Sequence, residues 1–189
     1  MTRRSARDAP WQKATGVSKS LIKASMAKLK EHGVDMDTKH WNGNTALHLC
    51  IQNGIEESIE FLLSKGANPK HQKGLNKPGF VNEAGWSPLH WAAKNNHADM
   101  CELLIEHGAP IDVAIASRSG MRPIHWACTQ GRLEIVSELI NTCGVDVNAV
   151  DGRKTTPLMI AVQYYQTSLM QWLLSNGANL SMVDVDGDT

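Results

Sequence analysis

The stretch Gly85–Ala109, GWSPLHWAAKNNHADMCELLIEHGA, reads as two short helices back to back. Ser87-Pro88 opens the first: a hydroxyl caps the free N–H groups of a helix start, and proline suits the first turn. Leu89, Ala92 and Ala93 give that helix a small apolar face, which permits close packing. A second helix is predicted from about Ala98, with Met100, Cys101, Leu103, Leu104 and Ile105 inward. Gly108 ends it, because glycine accepts the left-handed conformation that closes a helix C-terminus. A helix pair this short cannot bury its own apolar face, so it needs copies beside it.

The chain supplies them. In Asn44–Asn68, Thr45-Ala46-Leu47-His48 stands where Ser87-Pro88-Leu89-His90 stands. Thr45 lies 21 residues before Gly66, the same spacing as Ser87 to Gly108. Met121–Val145 carries Arg122-Pro123-Ile124-His125-Trp126-Ala127, with one extra residue in Asn141-Thr142-Cys143 before Gly144. Thr155–Asn179 carries Thr156-Pro157-Leu158-Met159 and then Gly177-Ala178-Asn179. Thr189 falls 33 residues after Thr156, so a further copy begins at Asp184. The chain is therefore expected to be a segment of a longer protein, or a truncated one.

A period near 33 with a Thr-Pro-Leu-His-x-Ala core resembles the ankyrin repeat. The resemblance implies an all-α solenoid of helix-turn-helix units with extended finger loops, each unit touching only its neighbours. The expected division is a disordered basic tail over 1–10 and a degenerate capping repeat over 11–38. Repeats follow over 39–70, 82–113, 114–150 and 151–183, and 184–189 starts another. Leu21, Ile22, Met26 and Leu29 give the capping repeat its stripe, and Gly33 sits 33 residues before Gly66. Two fingers are long. Thr45 to Ser87 is 42 residues, and the surplus lies in His71–Val81, a finger insertion over 71–81. Ser87 to Arg122 is 35, which lengthens Ile111–Gly120 by two.

Composition sets further bounds. The chain has 189 residues and 42% apolar content, enough for one domain with a core, and six of its ten aromatics are Trp. Net charge is zero, yet residues 1–30 hold eight Lys/Arg against Asp8 alone. Lys19, Lys23, Lys28 and Lys30 suit the solvated face of an end unit; without interleaved aromatics they do not favour nucleic acid. Met1–Pro10 has no apolar core of a secretory signal, and no run approaches the ~20 apolar residues of a membrane span. Cys50, Cys101, Cys128 and Cys143 show no CxxC pairing, which suits a reduced, cytosol-facing protein.

No catalytic chemistry is expected within these residues. His125 and Cys128 lie three apart on one helix face, a pair that a metal could use. Each has a plainer role: His125 is the repeat histidine and Cys128 fills a small-residue position. His32 and His107 each precede a helix-ending glycine, where partial positive charge suits the dipole. There is no G-x-S-x-G elbow, HExxH or phosphate loop. No cofactor and no metal are expected.

The expected function is binding another protein, as a monomer. By phase, Gln52-Asn53, Lys94-Asn95, Thr129-Gln130 and Gln163-Tyr164 follow the small residues of successive first helices. Stacking would align them as an amide-rich ladder suited to the backbone of an extended peptide. An ordinary solvated surface is the alternative for part of it. Trp41 and Trp86 stand in fingers, and Trp91 and Trp126 each follow a repeat histidine. Trp91 and Trp126 either pack between units or act as interface anchors. The candidate partner-binding residues are Trp41, Asn53, Trp86, Trp91, Asn95, Trp126, Gln130 and Tyr164.

A narrower resemblance rests on His90-Trp91-Ala92-Ala93-Lys94-Asn95-Asn96, Gly108-Ala109-Pro110-Ile111-Asp112 and Pro123-Ile124-His125-Trp126-Ala127. These look like the N-terminal domain of ankyrin-repeat DHHC palmitoyltransferases. The resemblance implies a cytosolic arm, on the Golgi or another endomembrane, that recruits substrates through an extended motif. It assigns the groove to Asn95 and Trp126 and places the acyl-transfer cysteine beyond Thr189. A stand-alone soluble scaffold with no enzymatic parent is the alternative.

Overall fold

A computed structural model of the chain describes residues 35–37, 44–70, 85–115 and 119–189. Beyond Asp35 these belong to one compact unit, Met36–Thr189. The basic tail, nearly all of the capping repeat, the 71–81 insertion and Trp41 lie outside the described residues.

Eight helices form among the described residues, as four pairs: α1 (Ala46–Gln52) with α2 (Glu56–Ser64), α3 (Pro88–Asn95) with α4 (Ala98–Glu106), α5 (Pro123–Thr129) with α6 (Leu133–Asn141), and α7 (Pro157–Gln163) with α8 (Thr167–Ser175). First helices pack side by side in the order α1, α3, α5, α7, and second helices in the order α2, α4, α6, α8. No strand appears among the described residues. The fold is an all-α stack of helix pairs, as the periodicity implied.

Each pair closes the same way. A residue with positive φ turns the chain between its helices: Gly54 (66°), Asn96 (63°), Gly131 (64°) and Tyr165 (56°). The next N–H then reaches back to the first helix, from Ile55 to Cys50 O, His97 to Ala92 O, Arg132 to Ala127 O and Gln166 to Ala161 O. Each second helix ends on a similar clasp, with Ala67 N–H on Leu62 O, Ala109 on Leu104 and Ala178 on Leu173. In the third pair Val145 N–H takes that place on Leu139 O, and the extra residue is absorbed in the turn after α6.

The core runs between the two rows. Leu47, Ile51, Leu89, Ala92, Ala93, Ile124, Ala127 and Cys128 are buried on the first helices, and Ile59, Leu62, Leu104, Ile135, Leu139, Leu169 and Leu173 on the second. On α4, Met100, Cys101 and Leu104 are buried, whereas Leu103 and Ile105 are only half-buried, so the inward stripe is narrower than the sequence suggested. Alanines at the centre let the helices of a pair approach closely.

Candidate functional site

The repeat histidines are fixed before any surface is considered. His48 Nδ1 accepts the Thr45 N–H (3.2 Å), and its Nε2 pairs with Trp86 O (3.2 Å). His90 repeats this with the Ser87 N–H and Met121 O (3.2 Å each), and His125 with the Arg122 N–H and Ala149 O (3.1 Å each). An Nδ1 that accepts a backbone N–H carries no proton, so Nε2–H is the donor to the carbonyl. Burial lowers the His90 pKa to about 4 and lowers that of His125 as well, which keeps both rings neutral. Both nitrogens of His125 are thus committed, and no lone pair is left for a metal. In the fourth pair Met159 takes the position, and its sulfur accepts only the Thr156 N–H.

The cysteines do not suit nucleophilic chemistry. Burial pushes the Cys50 thiol up to about 11 and Cys101 up to about 12, and it raises Cys128 and Cys143 too. A polar cavity of about 310 Å³ is lined by Glu56, His97, Asp99 and Glu134, among others. Its acids stand in the first turns of α2, α4 and α6, where the helix dipole favours negative charge. Among the described residues no group of three or more metal-ligating side chains converges. His107 Nδ1 lies 2.9 Å from Leu103 O at the end of α4, in reach of a carbonyl the helix leaves free.

The ladder residues stand at the ends of neighbouring first helices. Asn53, Gln130 and Tyr164 are the C-caps of α1, α5 and α7, and Asn95 is the last residue of α3. Asn53, Gln130 and Tyr164 are exposed and Asn95 half-buried. Asn53 Nδ2 donates to Leu49 O (2.7 Å), while Gln130 Nε2 reaches Thr129 Oγ1 (3.4 Å). Thr129 departs from expectation: it is buried, with its hydroxyl donating to Trp126 O at 2.8 Å.

The tryptophans sort by burial. Trp86 is 1% exposed and Trp91 6%, so neither ring lies open as a finger tip or anchor would. Trp86 packs against Trp91 (centroids 4.9 Å apart) and Trp126 (4.5 Å), at tilts of 49° and 48°. Trp86, a finger residue of the candidate partner-binding set, is buried: three rings from a finger, α3 and α5 meet there, and Trp86 forms the floor. Trp126 is half-buried, with its indole Nε1–H enclosed and without an acceptor among the described residues. The Lys94 ammonium stands over all three rings, 4.9 Å from Trp86, 5.2 Å from Trp91 and 5.8 Å from Trp126. Sequence reasoning placed Lys94 in the ladder but did not single it out. The available signal was its spacing, three residues after Trp91 in an otherwise uncharged row.

Models of ankyrin repeats match residues 17–73, 71–151 and 139–189, which together span most of the chain. The chain is an ankyrin-repeat protein. It is 28% identical over 171 residues to the B-cell lymphoma 3 protein homolog of Mus musculus, covering 90% of this chain and 36% of that protein. It is 32% identical over 140 residues to Rabankyrin-5 of Mus musculus, covering 74% and 11%. It is 29% identical over 193 aligned positions to ankyrin repeat and SOCS box protein 6 of Pongo abelii, covering 99% and 43%. The chain thus spans less than half the length of each of these relatives. Ankyrin repeats are non-catalytic modules of protein–protein interaction, and this chain carries them almost throughout. No helix among the described residues is long and apolar enough to cross a membrane.

Proposed function

We propose that this ankyrin domain binds an extended segment of a partner protein along the ends of α3, α5 and α7, with Asn95 and Trp126 at the centre. One observation carries the reading. The amide and aromatic ends of successive first helices stand in one row, beside a half-buried tryptophan whose indole donor is unspent. A row of side-chain amides offers both donors and acceptors, which suits a peptide backbone. A rigid aromatic at its centre suits the anchor of a small interface.

Asn95→Ala and Trp126→Ala should each weaken binding of peptides selected from a displayed random library, by about tenfold or more, while the stack stays folded. Full binding by both variants would remove the proposal. If Trp126→Ala instead mainly lowers stability by the ~3–5 kcal/mol of an aromatic core truncation, Trp126 is a packing residue.

The resemblance of His90–Asn96, Gly108–Asp112 and Pro123–Ala127 to ankyrin-repeat DHHC palmitoyltransferases supports a recruiting role as the arm of such an enzyme, on the cytosolic face of an endomembrane. None of the three relatives is named as a palmitoyltransferase, and a stand-alone scaffold or adaptor with no enzymatic parent is the second reading. Transcript sequence downstream of Thr189 separates the two. An Asp-His-His-Cys segment among membrane spans favours the first, and its absence favours the second.

A further inference from the structure

Lys94 is the one charged side chain among the described residues of the ladder, which otherwise holds amides, Thr129 and Tyr164. Its ammonium lies within 5.8 Å of three tryptophan ring centroids. The described ion pairs are Arg122–Asp112 and Arg153–Asp186, and no carboxylate among the described residues pairs with Lys94. Cation–π attraction holds the side chain over the rings. It leaves the ammonium's charge uncompensated, and the ammonium has three N–H donors and no acceptor. In the same cluster the enclosed Trp126 Nε1–H also lacks an acceptor among the described residues. Leaving a buried donor unpaired is costly, so an acceptor brought to it is favoured. A cation held over the rings and an unspent donor therefore stand together where α3 and α5 adjoin, and no carboxylate among the described residues pairs with the cation.

We infer that Lys94 selects for an acidic side chain in the bound segment. This rests on the proposal that the ladder binds an extended segment. The carboxylate pairs with Lys94 Nζ, and a backbone carbonyl of the same segment accepts the Trp126 Nε1–H. That donor is closed to solvent in the free chain, so the carbonyl reaches it only with a local rearrangement of the cluster. A nucleic acid would also offer anions. However, the Trp86 and Trp91 rings are 1% and 6% exposed, which removes the aromatic platform that base stacking needs.

The test is a selection from a phage-displayed random peptide library on the whole chain, run in parallel on Lys94→Glu. The wild type should enrich peptides that share one Asp or Glu at a fixed position, and Lys94→Glu should enrich Lys or Arg there. For a selected peptide, neutralising the acid or making Lys94→Met should each weaken binding about tenfold, and the two together should lose little more than either alone. Lys94 is half-buried; an unchanged thermal melt of Lys94→Met, with Lys94→Gln as a second variant, ties the loss to recognition and not to folding.

Peptides that depend on Asn95 and Trp126 but show no acid preference would overturn this inference and leave the ladder proposal standing. An acid whose contribution survives Lys94→Met would do the same. Peptides indifferent to Asn95→Ala and Trp126→Ala would remove both, as would failure to select any peptide while a single-stranded oligonucleotide binds.

Discussion

Tyr165 sits in left-handed backbone, at φ 56°, where the other three pairs use Gly54, Asn96 and Gly131. Glycine and asparagine tolerate that conformation, whereas a bulky side chain is strained there by roughly 1–2 kcal/mol. The Tyr165 ring recovers little of this, because the residue is 89% exposed. Tyr165→Gly is therefore expected to stabilise the fold by about 1 kcal/mol, read as a higher denaturant midpoint with an unchanged slope. Adjacent Tyr164 belongs to the ladder, so the substitution also asks whether the strain serves to aim that ring. At Gly54 and Gly131 the residue type itself favours the turn. It was not legible at Tyr165, since nothing local asks tyrosine to take positive φ. The tryptophans were harder still. Trp86 lies 40 residues before Trp126, and its burial depends on which units become neighbours, not on anything within its own finger.

At the scale of helices and their pairs, the repeat histidine is the latch. His90 caps its own helix through the Ser87 N–H and holds the entry of the next pair through Met121 O. His90→Leu leaves the Ser87 N–H buried and unpaired and leaves Met121 O with the Ile115 N–H alone, and is expected to cost about 3 kcal/mol. His90→Met should cost about half as much. The fourth pair shows why: Met159 sulfur accepts the Thr156 N–H at 3.3 Å, so only the carbonyl partner would be lost. Equal costs in urea denaturation would contradict the division between cap and latch. Helix starts were legible because Ser/Thr-Pro and a histidine three residues on act locally. The narrow stripe of α4 was less so, since Leu103 and Ile105 have apolar side chains but lie at the edge of the inward face.

At the scale of the whole molecule, the buried imidazoles couple stability to pH. The His90 pKa is about 4 in the folded chain, against 6.5 for the free side chain. Between those values the unfolded chain takes up a proton that the folded chain refuses. Stability therefore falls as pH drops from about 6.5 toward 4, and His90 alone accounts for roughly 3 kcal/mol of that loss. His125 is shifted the same way by burial and adds to it. Denaturant midpoints that stay flat from pH 7 to pH 4.5 would contradict this assignment. The stack itself was legible from the 33-residue phase. The three-ring cluster and its lysine required knowing that α3 and α5 lie side by side.

The central claim is that the ladder around Asn95 and Trp126 receives an extended segment, and the six tryptophans make it directly observable. In a ¹⁵N–¹H spectrum each indole gives its own cross-peak. Titration with a selected peptide should move the Trp126 Nε1–H peak strongly downfield, as an unspent donor gains an acceptor. The peak of Trp172, on α8, should stay in place. A Trp126 peak that does not move in a peptide-saturated chain, with changes gathered instead around Trp172, would contradict the account.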